Sequence, residues 1–109
     1  MKLQCESDTI RLRLNEAEYQ RLLKEKNLSE HIPYLPLGIT IYIENSDRPT
    51  VLKNSSLIIF LTNNSLEELG NPKQIKSGII LWLETPHGEF TLNLQVDLNS
   101  KTTKQTQSN

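Results

Sequence analysis

Arg11 and Arg13, two residues apart in T-I-R-L-R-L, are the side chains whose type and spacing most suggest chemistry. Ile10, Leu12 and Leu14 alternate with them, which predicts a strand with one apolar face and one face carrying both guanidinium groups. Residues two apart on a strand share a face and lie roughly 7 Å apart. Such a pair can hold a carboxylate or a phosphate through charge-assisted hydrogen bonds. Lys2 and Gln4, on a preceding strand, can share that face. The plainer reading is a solvated sheet face whose arginines pair across strands with Glu44 or Glu6.

The other reactive types are sparse. His31 and His87 are the only histidines, and neither has a Cys or His at metal-ligand spacing, so both read as surface residues and no metal is expected. Cys5, the single cysteine, lies in a strand and reads as a buried, inert thiol rather than a reactive one. Ser7 and Asp8 lack the glycines of a nucleophile elbow, and nothing places a histidine beside them. The four glycines are scattered singly, so no loop is built to cradle a phosphate. No catalytic set and no cofactor site is legible.

Four aromatic residues, Tyr34, Tyr42, Trp82 and Phe90, bear on partners. Tyr42 and Trp82 each stand opposite the Ile/Leu face of their strand, in I-T-I-Y-I-E and I-I-L-W-L-E. If helices cover the Ile/Leu face, these two rings either close a second core layer or form an exposed patch for a partner.

The elements that position these residues can be taken in order. Lys2–Cys5 and Thr9–Leu14 read as a hairpin turning at Glu6-Ser7-Asp8. Asn15 with Glu18 three residues on is a capping box, and acidic residues open the segment while lysines close it. A helix is therefore predicted over Glu16–Lys26, with Tyr19, Leu22 and Leu23 toward the sheet. Asn27–Leu37, with Pro33 and Pro36, reads as an apolar connection. Strands follow at Ile39–Glu44, Thr50–Lys53 and Ser56–Leu61, the last two joined by a two-residue reversal at Asn54-Ser55. The five consecutive apolar residues Leu57–Leu61 predict a central strand covered on both faces.

Thr62-Asn63-Asn64 offers several N-caps, Asn64 with Glu67 or Ser65 with Glu68 can form a capping box, and a short helix is predicted over Ser65–Leu69, stopped by Gly70 and Pro72. Ile79–Glu84 and Glu89–Val96 form the closing strands around Thr85-Pro86-His87-Gly88. Residues 99–109 contain no apolar side chain and are predicted to stay disordered, leaving residues 1–98 as one domain.

An internal repeat is legible. Ile10–Asn15 aligns with Leu57–Thr62, and the same offset carries Tyr19 onto Leu66 and Leu22 onto Leu69. At a different offset, Gly38–Glu44 aligns with Gly78–Glu84, which puts Tyr42 opposite Trp82. The order is strand-strand-helix-strand twice plus a last strand. The predicted fold class is α+β: a mainly antiparallel curved sheet or partly open barrel with two helices and a pseudo-two-fold between its halves.

Composition narrows function. The 109 residues carry 12 basic and 13 acidic side chains, a net charge of −1, so no cationic excess drives nucleic-acid binding. No apolar run is long enough to span a bilayer, and Leu3-x-Cys5 has no apolar stretch before it, so no membrane association is expected. One cysteine permits no internal disulfide, and a reducing, cytoplasmic compartment fits.

These features resemble a small uncharacterised bacterial family, a domain of unknown function found in short stand-alone proteins. Its members open with a Met-Lys hairpin followed by Ser-(Ile/Val)-Arg-x-Arg-Leu, a polar cap and a Glu-containing helix. The matching residues are Met1-Lys2, Asp8–Leu14, Asn15 and Glu18, with later landmarks at Leu57–Leu61, Gly78-Ile79 and Gly88. The resemblance covers about residues 1–98. The family's usual acidic ending followed by a cysteine is reduced here to Gln95-Val96-Asp97-Leu98 without one. The resemblance implies no activity, cofactor or partner.

The expectation is a non-enzymatic domain acting as a homodimer or with another protein through Tyr42 and Trp82. The alternative is a carboxylate- or phosphate-binding domain, or minor enzyme, using Arg11 and Arg13.

Overall fold

In the computed structural model, residues 1–33, 35–71 and 78–97 are described. Ten elements follow one another: β1 (Lys2–Cys5), β2 (Thr9–Asn15), α1 (Glu16–Glu25), β3 (Asn27–Ile32), β4 (Leu37–Ile43), β5 (Val51–Lys53), β6 (Ser56–Leu61), α2 (Asn63–Leu69), β7 (Ile79–Thr85) and β8 (Gly88–Asp97). The α+β class agrees with the sequence reading. In place of the expected mainly antiparallel curved sheet or partly open barrel, the strands form two four-stranded mixed sheets, ordered β1-β2-β8-β7 and β3-β4-β6-β5.

Sequence-local pairings are antiparallel, β1 with β2, β3 with β4, β5 with β6 and β7 with β8. At the centre of each sheet, two strands from distant parts of the chain lie parallel. Ile10, Leu12 and Leu14 of β2 register with Leu92, Leu94 and Val96 of β8. Ile39, Ile41 and Ile43 of β4 register with Leu57, Ile59 and Leu61 of β6. Leu12, Leu14, Leu92, Leu94, Ile39, Ile41, Leu57 and Ile59 all belong to one buried cluster, so the two sheets share a core. That core supplies most of the stabilisation, at roughly 25 cal/mol per Å² of apolar surface buried.

The first helix starts where its capping residues direct. Asn15 accepts from the Glu18 N–H at 2.8 Å, and Glu18 Oε1 accepts from the Asn15 N–H at 2.9 Å. The helix ends at Lys26, whose φ of 64° is left-handed and whose N–H returns to the Leu22 carbonyl at 2.9 Å. Glu18 Oε2 also accepts from the Met1 amino group, which ties β1 to the helix start.

The second helix takes its cap from the first of the three residues offered, and neither expected capping box is the one used. Thr62 is the N-cap, its Oγ1 accepting from the Ser65 N–H at 3.2 Å, so the helix begins at Asn63. Tyr19 Oη donates to the Leu66 carbonyl at 2.9 Å, satisfying one of the last-turn acceptors that a short helix leaves open. Gly70 is required beside it, because a Cβ there would overlap the Tyr19 ring and hydroxyl. The expected stop at Pro72 lies outside the described residues.

Three further expectations are corrected. Asn27–Ile32, read as a connection, is strand β3: Leu28 and Ile32 are buried while Asn27, Ser29 and His31 face out. Its low strand propensity is overruled by pairing along β4. β6 is central, but only Leu57, Ile59 and Leu61 are buried; Ile58 and Phe60 face outward and are half-covered. The alignment of Gly38–Glu44 with Gly78–Glu84 joins unlike places, because β4 is the second strand of its hairpin and β7 the first of its own. The Asn54-Ser55 reversal is a two-residue turn with φ of 52° and 64°, as its sequence suggests. Tyr34 and the tail at residues 99–109 lie outside the described residues.

Candidate functional site

The outer face of the first sheet presents Arg11 and Arg13 side by side on β2. Across the β1 edge Lys2 registers with Arg13 and Gln4 with Arg11; on the other side Asn93 and Gln95 of β8 flank them. The two arginines therefore share a face with Lys2 and Gln4. Glu44 is not their partner: it pairs with Arg48 at 3.1 Å on the other sheet. Arg11 pairs with Glu6 at 3.6 Å, both side chains being nearly half exposed, so the contact is a weak, screened one. Among the described residues, neither Arg13 nor Lys2 takes part in an ion pair.

A cavity of about 590 Å³ runs along the free edge of β1. Its lining combines Lys2, Arg11 and Arg13 with Leu3, Ile32 and Leu35. Cys5 also lines it and is exposed, contrary to the expectation of a buried thiol. Its strand is an edge strand, so Cys5 has Ile10 of β2 on one side and no strand on the other.

Tyr42 and Trp82 lie on different sheets, so they do not form one matched pair. Both project outward, 42% and 63% exposed, and neither closes a second core layer. Trp82 and Ile80 stand on the outer face of β7, an edge strand. They line a groove of about 870 Å³ with Val51 and Leu52 of β5, the edge of the other sheet, and with Phe60 of β6. Tyr42 stacks on Phe60 with ring centroids 5.7 Å apart, and the Arg48 guanidinium lies 4.1 Å over the same ring. Tyr42 thus supports the groove wall, whereas Trp82 stands in the groove itself.

Sequence reasoning missed Phe60, Ile80, Leu52 and Arg48 as groove residues. The strand run Leu57–Leu61 concealed Phe60, because a continuous apolar run carries no sign of which face is covered. His31 and His87 are exposed, as expected. Among the described residues no three His, Cys, Asp or Glu side chains gather in a metal-holding cluster, and no helix is long and apolar enough to cross a membrane. One titration stands out: burial, with the nearby Glu16 and Glu67 charges, pushes the Tyr19 hydroxyl above its ordinary value of 10.0.

No family model, curated protein or solved structure matches this chain.

Proposed function

We propose that this domain acts by self-association, with β7 as the pairing edge and Trp82 as the anchor. The observation that carries this is the exposure of Trp82 at 63% and Ile80 at 50% on an edge strand whose one charged residue, Glu84, lies near its end. Ile79–Leu83 contains no Lys, no Pro and no bulge-forming Gly, and edges of that kind invite another strand. The same strand from a second copy, run antiparallel about a two-fold axis, is a self-complementary partner. It joins the two first sheets into one and covers both Trp82 rings, with Leu52 and Val51 alongside.

The pseudo-two-fold fits the same picture. The halves β1-β2-α1-β3-β4 and β5-β6-α2-β7-β8 have one element order, and each sheet takes one hairpin from each half. Placing Ile10 on Leu57 and Ile39 on Leu92 turns the register Ile10↔Leu92 into Leu57↔Ile39, which is the register of the other sheet. Tyr19 and Leu66, joined by a hydrogen bond and 47 residues apart, are equivalent positions in this scheme and lie near its axis. In this scheme β1 corresponds to β5 and β3 to β7, so the β1/β3 side corresponds to the β5/β7 seam, and the latter is the apolar one.

Sedimentation velocity of the full chain over a concentration series tests the proposal. A concentration-dependent dimer is expected, with Trp82→Lys monomeric and still folded. Trp82 is the only tryptophan, so its fluorescence should shift to the red as the dimer is diluted. A wild-type chain that stays monomeric at every concentration overturns the reading.

A further inference from the structure

We infer that the cavity along the free edge of β1 binds a small amphipathic anion: a carboxylate or phosphate monoester on a short apolar body. This site is separate from the β7 seam and does not rest on self-association.

The charge argument comes first. Lys2 lies directly across the antiparallel pair from Arg13, and like charges opposed in this way repel. Arg11 is the next outward residue along the same strand, so three positive groups share one patch in a chain whose net charge is −1. Among the described residues no carboxylate lines the cavity, and Glu6 makes only a weak, half-exposed contact with Arg11 at 3.6 Å. Asp97 lines a small adjoining cleft with Lys2 and Arg13, but is in no ion pair with either among the described residues. A bound anion removes the Lys2–Arg13 repulsion and gains charge-assisted hydrogen bonds, with the guanidinium fork suited to two oxygens of one group.

The apolar argument sets the rest of the ligand. The same cavity is lined by Leu3, Ile32 and Leu35, and Leu35 is 48% exposed. A bare inorganic ion leaves that wall wet; an alkyl or aryl body attached to the anion covers it. The volume of about 590 Å³ is within the ordinary range for small-molecule sites.

Cys5 makes the test direct, because it is the only cysteine, is exposed and lines the same cavity. The rate of its alkylation by iodoacetamide would be followed in the full chain with octanoate or octyl phosphate, below their micelle thresholds. Melting temperature would be read in parallel. Saturable slowing of alkylation and a raised melting temperature are expected with both. Acetate, inorganic phosphate and octanol at equal concentration should act at least about tenfold more weakly, the share of one charge-assisted contact or of a few buried methylenes.

Arg13→Gln should weaken protection by about tenfold. Should that variant fail to fold, the exposed Leu35→Asp substitution serves instead, since it places a negative charge on the apolar wall. Equal protection by octanol or by inorganic phosphate overturns the inference, as does no protection by either amphiphile. Protection by anionic vesicles alone also overturns it, pointing to a membrane surface and not to a small ligand.

Discussion

The β1 edge and the β5 edge occupy the same place in their sheets, yet they present opposite chemistry. β1 borders β2, and β5 borders β6, each in an antiparallel hairpin beside a central parallel pair. On the inner face the two regions agree: Leu12 and Leu14 of β2 are matched by Ile59 and Leu61 of β6, all buried. On the outer face they diverge. Arg11 pairs with Gln4, whereas Ile58 pairs with Val51; Arg13 stands one step on in β2, Phe60 one step on in β6. Inner positions must fill a shared core and tolerate only apolar side chains. Outer positions contact solvent and their immediate neighbours, so they are free to become cationic in one half and aromatic in the other.

The largest effect should come from the inner positions. Leu12→Ala and Ile59→Ala each remove a side chain of 0% exposure, and each should cost about 3 kcal/mol. Urea unfolding should show similar losses and one cooperative transition for both. Two separate transitions would mean that the sheets do not share a core, and the comparison would fail.

The contact between the helices should come next. Gly70→Ala forces Tyr19 to move and should cost about 2 kcal/mol, while Tyr19→Phe loses one hydrogen bond and should cost about 1 kcal/mol. The Tyr19 hydroxyl has its pKa raised in the fold, by burial first and then by Glu16 and Glu67. The neutral form is thus favoured by folding. Its contribution is complete below the unfolded value of about 10 and is lost as pH rises through the higher folded value. Denaturation midpoints at alkaline pH should therefore fall more steeply for wild type than for Tyr19→Phe.

Cap removal sharpens the comparison of the two helices. Asn15→Ala breaks a reciprocal box closed by bonds of 2.8 and 2.9 Å and should cost about 1 kcal/mol or more; Thr62→Ala loses two longer bonds to Ser65, 3.2 and 3.3 Å, and should cost less. Thermal melts of the two variants would rank them, and the reverse order would contradict the observed caps. The smallest effect belongs to the outer faces. Arg11→Ile with Arg13→Phe should change stability by no more than about 0.5 kcal/mol. Ile58→Arg with Phe60→Arg should cost about 1 kcal/mol, because Phe60 loses its stack with Tyr42. Tyr42→Ala should weaken self-association less than Trp82→Ala, since Tyr42 touches the groove only through Phe60.

Local chemistry was legible where it was self-contained. Asn15 and Glu18 cap one another across one turn, so the start of α1 follows from four residues. Asn54-Ser55 can take up positive φ, so the β5–β6 reversal also follows locally. At Thr62 several polar residues competed for the cap, and the packing of Leu66 and Leu69 into the core selected the earliest of them. β3 was hidden because N-L-S-E-H-I has weak strand propensity and gains its order from β4.

The alternation in Ile10–Leu14, Ile39–Ile43 and Leu92–Val96 determined, without any structure, which side chains enter the core, since a strand has a period of two. It likewise determined that Arg11 and Arg13 share a face. It could not determine that β2 lies beside β8 and β4 beside β6, because parallel neighbours come from distant segments and leave no local turn to read. That pairing decided everything about the candidate sites. It made β1, β3, β5 and β7 the edges and left Cys5 and Trp82 exposed, and the packing of the two sheets put Ile32 and Leu35 in one cavity with Lys2 and Arg13.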